Sequence, residues 1–362
     1  MSVWPFEIVA RTERSSRMLF VVPVLTVVLT VICATIMFTV TGNDAGTALY
    51  SIFVEPFLDA YGISEVLIKA SPLIIIAQGL AIGFRARVWN IGAEGQLTIG
   101  AIFASLIPIY WVDQPFSLML PSMIVAAGLG GVAWAAIAAL LRTRFNASEI
   151  IVTLMLNQIA AQVLLYVING PLKDPRGFSF PQSVSFPPEA LYPLIVEGGL
   201  LRVNYSIILT LALSAVAWVF VAHSFSGYRL HVGGVAPAAA RYAGFSANRA
   251  VWLSLLIGGA CAGLAGVGEI AGPIGRLQPI LSPGYGFAAI IVAFLGALTP
   301  IGIVLAGFFM AVIYVGTDGA VLSAGIPSSA PMVLQGLILV FYLMAYTLVN
   351  YQLRRKPGRM RA

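Results

Sequence analysis

Charge is what this chain has least of: Asp, Glu, Lys and Arg together make up 9% of its 362 residues, while 59% are hydrophobic. A soluble domain carries about 25% charged residues, so this sequence cannot cover a water-facing surface in the usual way. Lysine occurs only at 69, 173 and 356, and never after a glycine. A phosphate-cradling G-x-x-x-x-G-K-[ST] loop is therefore absent, and the chain has no P-loop of its own with which to hydrolyse ATP. Cysteine occurs only at Cys33 and Cys261, each inside an apolar run, which gives no disulfide framework. His223 and His231 make no metal-ligand pattern with them and no H-E-x-x-H pair, and no G-x-S-x-G turn offers a serine nucleophile. Asp318, in VGTDGA, has no second aspartate in another span with which to form an aspartyl dyad. No catalytic residue, metal site or cofactor is assigned to this chain, and an enzyme is not expected.

What the chain has instead is a succession of apolar runs. Runs of roughly 20 residues mark membrane-spanning helices, which satisfy their own backbone hydrogen bonds in lipid. Continuous runs, rather than short alternating segments, exclude an outer-membrane barrel. Spans are expected at 18–40, 64–84, 96–111, 118–141 and 149–168, then at 205–223, 250–271, 285–298, 301–321 and 331–350. The first follows Arg11, Arg14 and Arg17 and is too long for the core of a cleaved signal peptide, so it reads as a retained span. The fold class expected is all-α: a polytopic integral membrane protein of about ten transmembrane helices, some of them short or broken.

The basic residues orient these spans, because cytoplasmic loops are enriched in Lys and Arg. With both termini cytoplasmic, the inward segments hold Arg11, Arg14 and Arg17; Arg85 and Arg87; Arg142 and Arg144; Arg229, Arg241 and Arg249; and Arg354, Arg355, Lys356, Arg359 and Arg361. The exceptions are Lys69, Lys173, Arg176, Arg202 and Arg276. The net charge of +6 is then a matter of topology, and a nucleic-acid partner is not implied. Residues 1–17 read as a cytoplasmic N-terminal segment, 18–350 as the membrane domain and 351–362 as a basic cytoplasmic tail. Within the membrane domain, the proline-rich stretch 169–203 is the long external loop. It is either folded over the outer mouth or a docking surface for an external partner. Residues 224–249 form the long cytoplasmic loop.

Polar groups inside an apolar chain need a reason, since a charge at the centre of an inserted helix costs roughly 2.5–3.5 kcal/mol. Glu94, Glu269 and Asp318 are the acids in or beside spans and far from a basic neighbour in sequence. Glu94 sits in VWNIGAEGQLTIG between Gly92 and Gly95, which favours a helix break, with Asn90 suited to cap the helix that starts there. Glu94 in the first turn of that helix meets its positive end. Broken helices at membrane depth are tolerated where they pack in protein or line a cavity. Glu94 is thus either a brace in a re-entrant turn or a group on a solute pathway. A second break lies in LSPGYGFAAIIVAFLGALTPIG (281–302), whose apolar helix is too short to cross ~30 Å of hydrocarbon. Tyr285 and Phe287 at its outer end suit either stacking on a planar ligand or anchoring at the interface. Before it, IGGACAGLAGVGE presents small residues for close helix packing, with Glu269 at the end as ligand acceptor or capped terminus. Together with Gln78, Gln96 and Asn157, the candidate pathway residues are Gln78, Asn90, Glu94, Gln96, Asn157, Glu269, Tyr285, Phe287 and Asp318.

In the inward loop, VAPAAARYAGFSANR predicts a short helix: Pro237 suits its first turn, the alanines extend it and Gly244 ends it. Two turns are marginal alone in water, so this helix rests in a partner's groove or on the membrane surface. FRARVWNIGAEGQLTIGA (84–101), this loop and GYGFAAIIVAFLGALTPIGIVLAG (284–307) resemble the permease subunits of ATP-binding-cassette importers. The similarity is to the nucleoside and simple-sugar branch, related to ribose and branched-chain amino acid permeases, and it covers nearly the whole chain after the first span. Ala238 stands where relatives often have glutamate, and His231 where an arginine is common.

The resemblance implies a prokaryotic inner-membrane permease. It would form half of a pathway with a second permease subunit, in a heterodimer, and be served by an external substrate-binding protein. A separate cytoplasmic ATPase would carry ATP and Mg. The coupling helix on that ATPase maps onto Pro237, Ala238, Ala239, Ala240, Arg241, Tyr242, Ala243 and Gly244. The hydrogen-bonding side chains and the flat rings suit a nucleoside; a simple sugar or a riboflavin-like solute is the alternative within the family. Outside it, the rival reading is a stand-alone secondary transporter of a small polar solute.

Overall fold

The computed structural model of the protein describes residues 6–10, 16–177, 180–196 and 201–355. The expectations for Arg11, Arg14, Lys356, Arg359 and Arg361 lie outside the described residues. The chain divides into two compact units, Met1–Val54 with Gly316–Ala362, and Glu55–Val315, the second division falling inside one helix.

In the first unit, strand β1 (Phe6–Ala10) and helix α1 (Ser16–Val40) are followed by α2 (Ala45–Phe53). Asp44 caps α2 by accepting the Gly46 amide at 3.0 Å. Helix α13 (Ala330–Asn350) packs along α1 and leads directly into strand β2 (Tyr351–Arg355). The two strands pair antiparallel, Phe6 opposite Arg355 and Ala10 opposite Tyr351. Composition pointed to helices alone, and this ribbon falls where only a terminal segment and a tail were expected.

The second unit is built around α3 (Ala60–Arg85), started by Asp59, whose side chain accepts the Gly62 amide at 2.6 Å. Around it stand α4 (Ala93–Tyr110), α5 (Met119–Phe145), α6 (Glu149–Asn169) and α7 (Ser206–His223). Then come α8 (Phe225–Val235), α9 (Pro237–Tyr242), α10 (Ala247–Glu269), α11 (Tyr285–Leu295) and α12 (Pro300–Ser323), the last crossing the division between units. The most apolar stretch of α3 is 89% buried, whereas those of α6 and α7 are only 28% and 22% buried. An apolar helix that keeps its side chains exposed, as α6 does at Ile151 and Met155, has lipid as its natural surroundings. Helix α3 is therefore the axis of this unit and α6 and α7 its rim.

Among the described residues nine helices are long and apolar enough to cross a membrane, and α11 is a tenth apolar helix too short to do so. All ten fall on the expected spans. The glycine-studded span is α10, which packs along α5, α3 and α4. A side chain at Gly263 would meet the Ala127 carbonyl and the Gly131 amide nitrogen, so α10 and α5 touch backbone to backbone. Beyond Glu269 this helix widens into a π turn over Ile270–Ile274, which contains Pro273.

Candidate functional site

The segment between α3 and α4 is held by side chains rather than by regular structure. Asn90 Oδ1 accepts the Gly92 amide at 2.9 Å, and Asn90 and Gln96 exchange a pair of amide bonds at 2.9 and 3.2 Å. From α6, Asn157 accepts the Gly95 amide at 2.8 Å and donates to the Ile91 carbonyl at 2.8 Å. One turn earlier on the same face, Thr153 Oγ1 accepts the Ile91 amide at 3.1 Å. Asn90, Gln96 and Asn157 are all buried, and these bonds meet the demand of amides that lipid cannot satisfy. Asn90 was expected to cap α4; the cap position is instead Gly92, and Asn90 steadies the turn before it.

Glu94 does not serve its own helix either. Its Oε2 accepts the Gly286 amide at 2.7 Å, in the first turn of α11. Two helix N-termini, those of α4 and α11, meet here. A helix N-terminus presents unpaired amides and partial positive charge, so one carboxylate between two of them is favourable. The approach depends on Gly286, where a Cβ would run into the backbone nitrogen and Cα of Glu94. Ser282 completes the start of α11 by accepting the Gly284 and Tyr285 amides at 3.1 and 2.8 Å.

The far end of α11 is tied to α3. After Leu295 the chain turns through Ala297 and Leu298, both left-handed at φ 52° and 57°. Arg85 Nε donates to the Leu298 carbonyl at 3.0 Å, and Gln78 Nε2 donates to the Pro300 carbonyl at 2.9 Å. Seven residues apart, Gln78 and Arg85 share one face of α3. Phe84 stacks on Phe294 with centroids 5.2 Å apart, and Trp89 covers both rings.

The structure thus gathers Asn90, Glu94, Gln96 and Asn157 into one polar node and puts Gln78 at the opposite end of the same short helix. It separates the two aromatic residues expected to act together. Tyr285 is 3% exposed and meets Tyr314 edge-on at 5.5 Å, whereas Phe287 is 42% exposed, because positions two apart on a helix face different ways. Glu269 is buried at the end of α10, within electrostatic reach of Lys69 and Glu65. Asp318 lies in the first unit, exposed on α12. Thr153 and Ser282 were missed beside the node, and Arg85 at the far end of α11. Only Thr153 carried a signal, its spacing from Asn157.

The proline-rich loop is laid against the π turn and the chain after it. Ser183 donates to the Leu277 carbonyl at 2.9 Å, Phe186 to Gly275 at 2.9 Å and Tyr192 to Ala271 at 2.8 Å. Arg202 pairs with Glu65 at 3.0 Å. Burial pushes the Tyr192 phenol above its ordinary range, so it stays neutral.

At the arginine-rich end, Ser224 caps α8 through the Gly227 amide at 2.9 Å, and Pro237 opens α9. Helix α9 ends in a Schellman turn: Phe245 donates to the Ala240 carbonyl at 2.9 Å around Gly244 at φ 77°. Ala240 is buried beneath this helix, while Tyr242 is 97% exposed.

Residues 62–343 match the family described as the permease component of the branched-chain amino acid transport system. Among curated proteins, the chain is 33% identical to the glucose ABC transporter permease protein TsgB13 of Haloferax volcanii, over 91% of this chain and 88% of that one. It is 29% identical to the guanosine ABC transporter permease protein NupP of Bacillus subtilis, over 93% and 96% of the two chains. With the nucleoside ABC transporter permease protein NupB of Lactococcus lactis the identity is 28%, over 90% and 91%.

Proposed function

The chain belongs to the family of ABC-type permease components typified by the branched-chain amino acid systems, a multi-pass protein of the plasma membrane, and on that footing we propose that it forms half of an import pathway for a nucleoside. A second permease subunit supplies the other half, and an external binding protein delivers the solute. A cytoplasmic ATPase, carrying ATP and Mg, drives the cycle from the side on which both termini lie. The observation that carries a transport role is the junction of α4 and α11. Two helices that begin within the helical bundle, amide ends together, form the kind of irregular backbone that lipid forbids and a pathway wall allows. Neither half moves freely by itself: α11 is tied at one end through Glu94 and at the other through Gln78 and Arg85, so it shifts with α3 and α4 as a block.

The nucleoside assignment draws on the relatives named for guanosine and nucleosides, which match this chain over nearly their whole lengths. The glucose permease relative, at 33% identity, supports a second reading in which the solute is a simple sugar. Both solutes present a ring of hydroxyls, and only the nucleoside adds a flat base. Candidate groups for it are the exposed Phe287 and the buried Glu269. Coupling to the ATPase is assigned to α9 with its cap, Pro237 to Gly244, where Tyr242 stands clear of the body.

The test is uptake into vesicles holding this chain, its second permease and its ATPase, with the binding protein outside. Labelled guanosine should accumulate only with ATP and should be displaced by other nucleosides and not by glucose. Displacement by glucose alone would establish the sugar reading. Accumulation driven by an ion gradient without the ATPase would overturn the proposal.

A further inference from the structure

A cavity of about 760 Å³ opens between the α8–α9 loop, the end of α3, the α5–α6 turn and the first turns of α10. Its lining carries Arg87, Arg142, Arg229, Arg241 and Arg249 against one carboxylate, Glu149. Glu149 Oε2 lies 3.1 Å from Arg142 Nε, so that pair is already matched, and Arg142 also donates to Asn146 at 3.2 Å. The other four arginines, exposed residues from α8, α9, α10 and the segment after α3, line the cavity with no carboxylate among the lining residues to balance them.

Membrane topology accounts for arginine at this end of the bundle, but not for its gathering from four segments around one cavity. Like charges brought together repel, and a bound anion turns that repulsion into attraction. The cavity has the size of a small-molecule site. Arg229 is held in place by rings, its guanidinium carbon 4.1 Å from the centre of Phe225 and 5.2 Å from that of Phe245. At Arg87 the backbone is left-handed, φ 57°, as the chain leaves α3. Apolar side chains, among them Val251 and Leu256, line the remainder, so an occupant with a charged head and an uncharged body fits the lining. Guanidinium groups presented as planar forks match the oxygens of a phosphate group.

We infer that this cavity binds a phosphate ester, and that its occupant ties the coupling loop to the body of the permease. The phosphate comes either from the headgroup of an anionic phospholipid or from a soluble organic phosphate. The inference rests on the transport reading only for calling α9 the coupling element.

The experiment uses the full complex, with second permease and ATPase, in nanodiscs of phosphatidylcholine, where both faces are open to solvent. Thermal unfolding is followed with phosphatidylglycerol introduced into the disc, or with glycerol 3-phosphate added to neutral discs. A rise in melting temperature with phosphatidylglycerol alone identifies the lipid as the source; a rise with glycerol 3-phosphate in neutral discs identifies the soluble ester. In either case the variant Arg87→Gln/Arg229→Gln/Arg249→Gln should need roughly tenfold more of the ligand, or more, for the same rise, since three charge-assisted contacts are lost. No rise with either probe, or an unchanged dose dependence in the variant, overturns the inference. Where the triple variant does not assemble, Arg249→Gln alone should weaken binding in the same direction, and an unchanged dose dependence there overturns it too. No transport or hydrolysis enters this readout, so its failure leaves the uptake proposal standing, and failed uptake leaves this binding intact.

Discussion

Glu94 gives its carboxylate to a backbone amide of another segment, that of Gly286 at 2.7 Å. Hydrogen bonds to a charged group contribute about 1.5–3 kcal/mol each, and removing one partner also strands the other. Glu94→Ala should therefore destabilise the assembled transporter by about 2 kcal/mol or more, read as a lower melting temperature, with uptake falling in parallel. Glu94→Gln keeps an acceptor oxygen and should lose less than half as much stability. A group that contacts solute behaves otherwise: both variants would then lose uptake equally while melting like the parent. The glycine-flanked acid among Asn90, Gly92 and Gln96 is visible in the chain as a break in an apolar run. Its partner is not visible, because a bond between residues 192 apart joins a side chain to an amide and leaves no periodic trace.

At the scale of elements, α11 is decisive. Its eleven residues rise about 16 Å, half of what the hydrocarbon requires, so its depth must be set by what holds its ends. At Gly286 the facing atoms are backbone, which cannot step aside as a flexible side chain would. Gly286→Ala should push the α4 and α11 N-termini apart, costing about 3 kcal/mol and abolishing uptake, since overpacking is relieved only by backbone movement. Gly336→Ala on α13, where no atom lies within 4 Å of the added carbon, is the control and should melt no lower than the parent. Equal melting of Gly286→Ala and the parent would show that the two N-termini are not in contact. The long spans were legible because length and apolarity alone define them; α11 was expected to run to 298 and ends at Leu295 because residues 297 and 298 turn left-handed. Helices α2 and α8 were not legible. The sequence of α8, FSGYRLHVGGV, is rich in glycine and short, and it forms a helix where Gly234 packs directly on the Arg85 carbonyl that ends α3.

For the molecule as a whole, the absence of a P-loop and the presence of α9 fit together in the proposed arrangement, in which an ATPase chain supplies the force. A short helix that carries force must be stiff within itself and proud of its own body. The Schellman turn and the burial of Ala240 supply the stiffness, and Tyr242, 97% exposed, supplies the projection. An exposed side chain contributes little to the fold that bears it, typically within about 0.5 kcal/mol, whereas a tyrosine buried at the centre of an interface contributes about 2 kcal/mol or more to binding. The two quantities can be separated by measurement. Tyr242→Ala should leave the melting temperature of the permease pair unchanged and weaken its affinity for the ATPase roughly thirtyfold, measured by titrating labelled ATPase onto nanodisc-held permease. Uptake should fall with it, and raising the ATPase concentration should restore uptake in part, which loss of a pathway residue would not permit. Ala240→Leu, in contrast, should lower the melting temperature first and the affinity only as a consequence. Should Tyr242→Ala bind the ATPase and import solute like the parent, α9 is not the coupling element, and the force must enter through another part of the arginine-rich end.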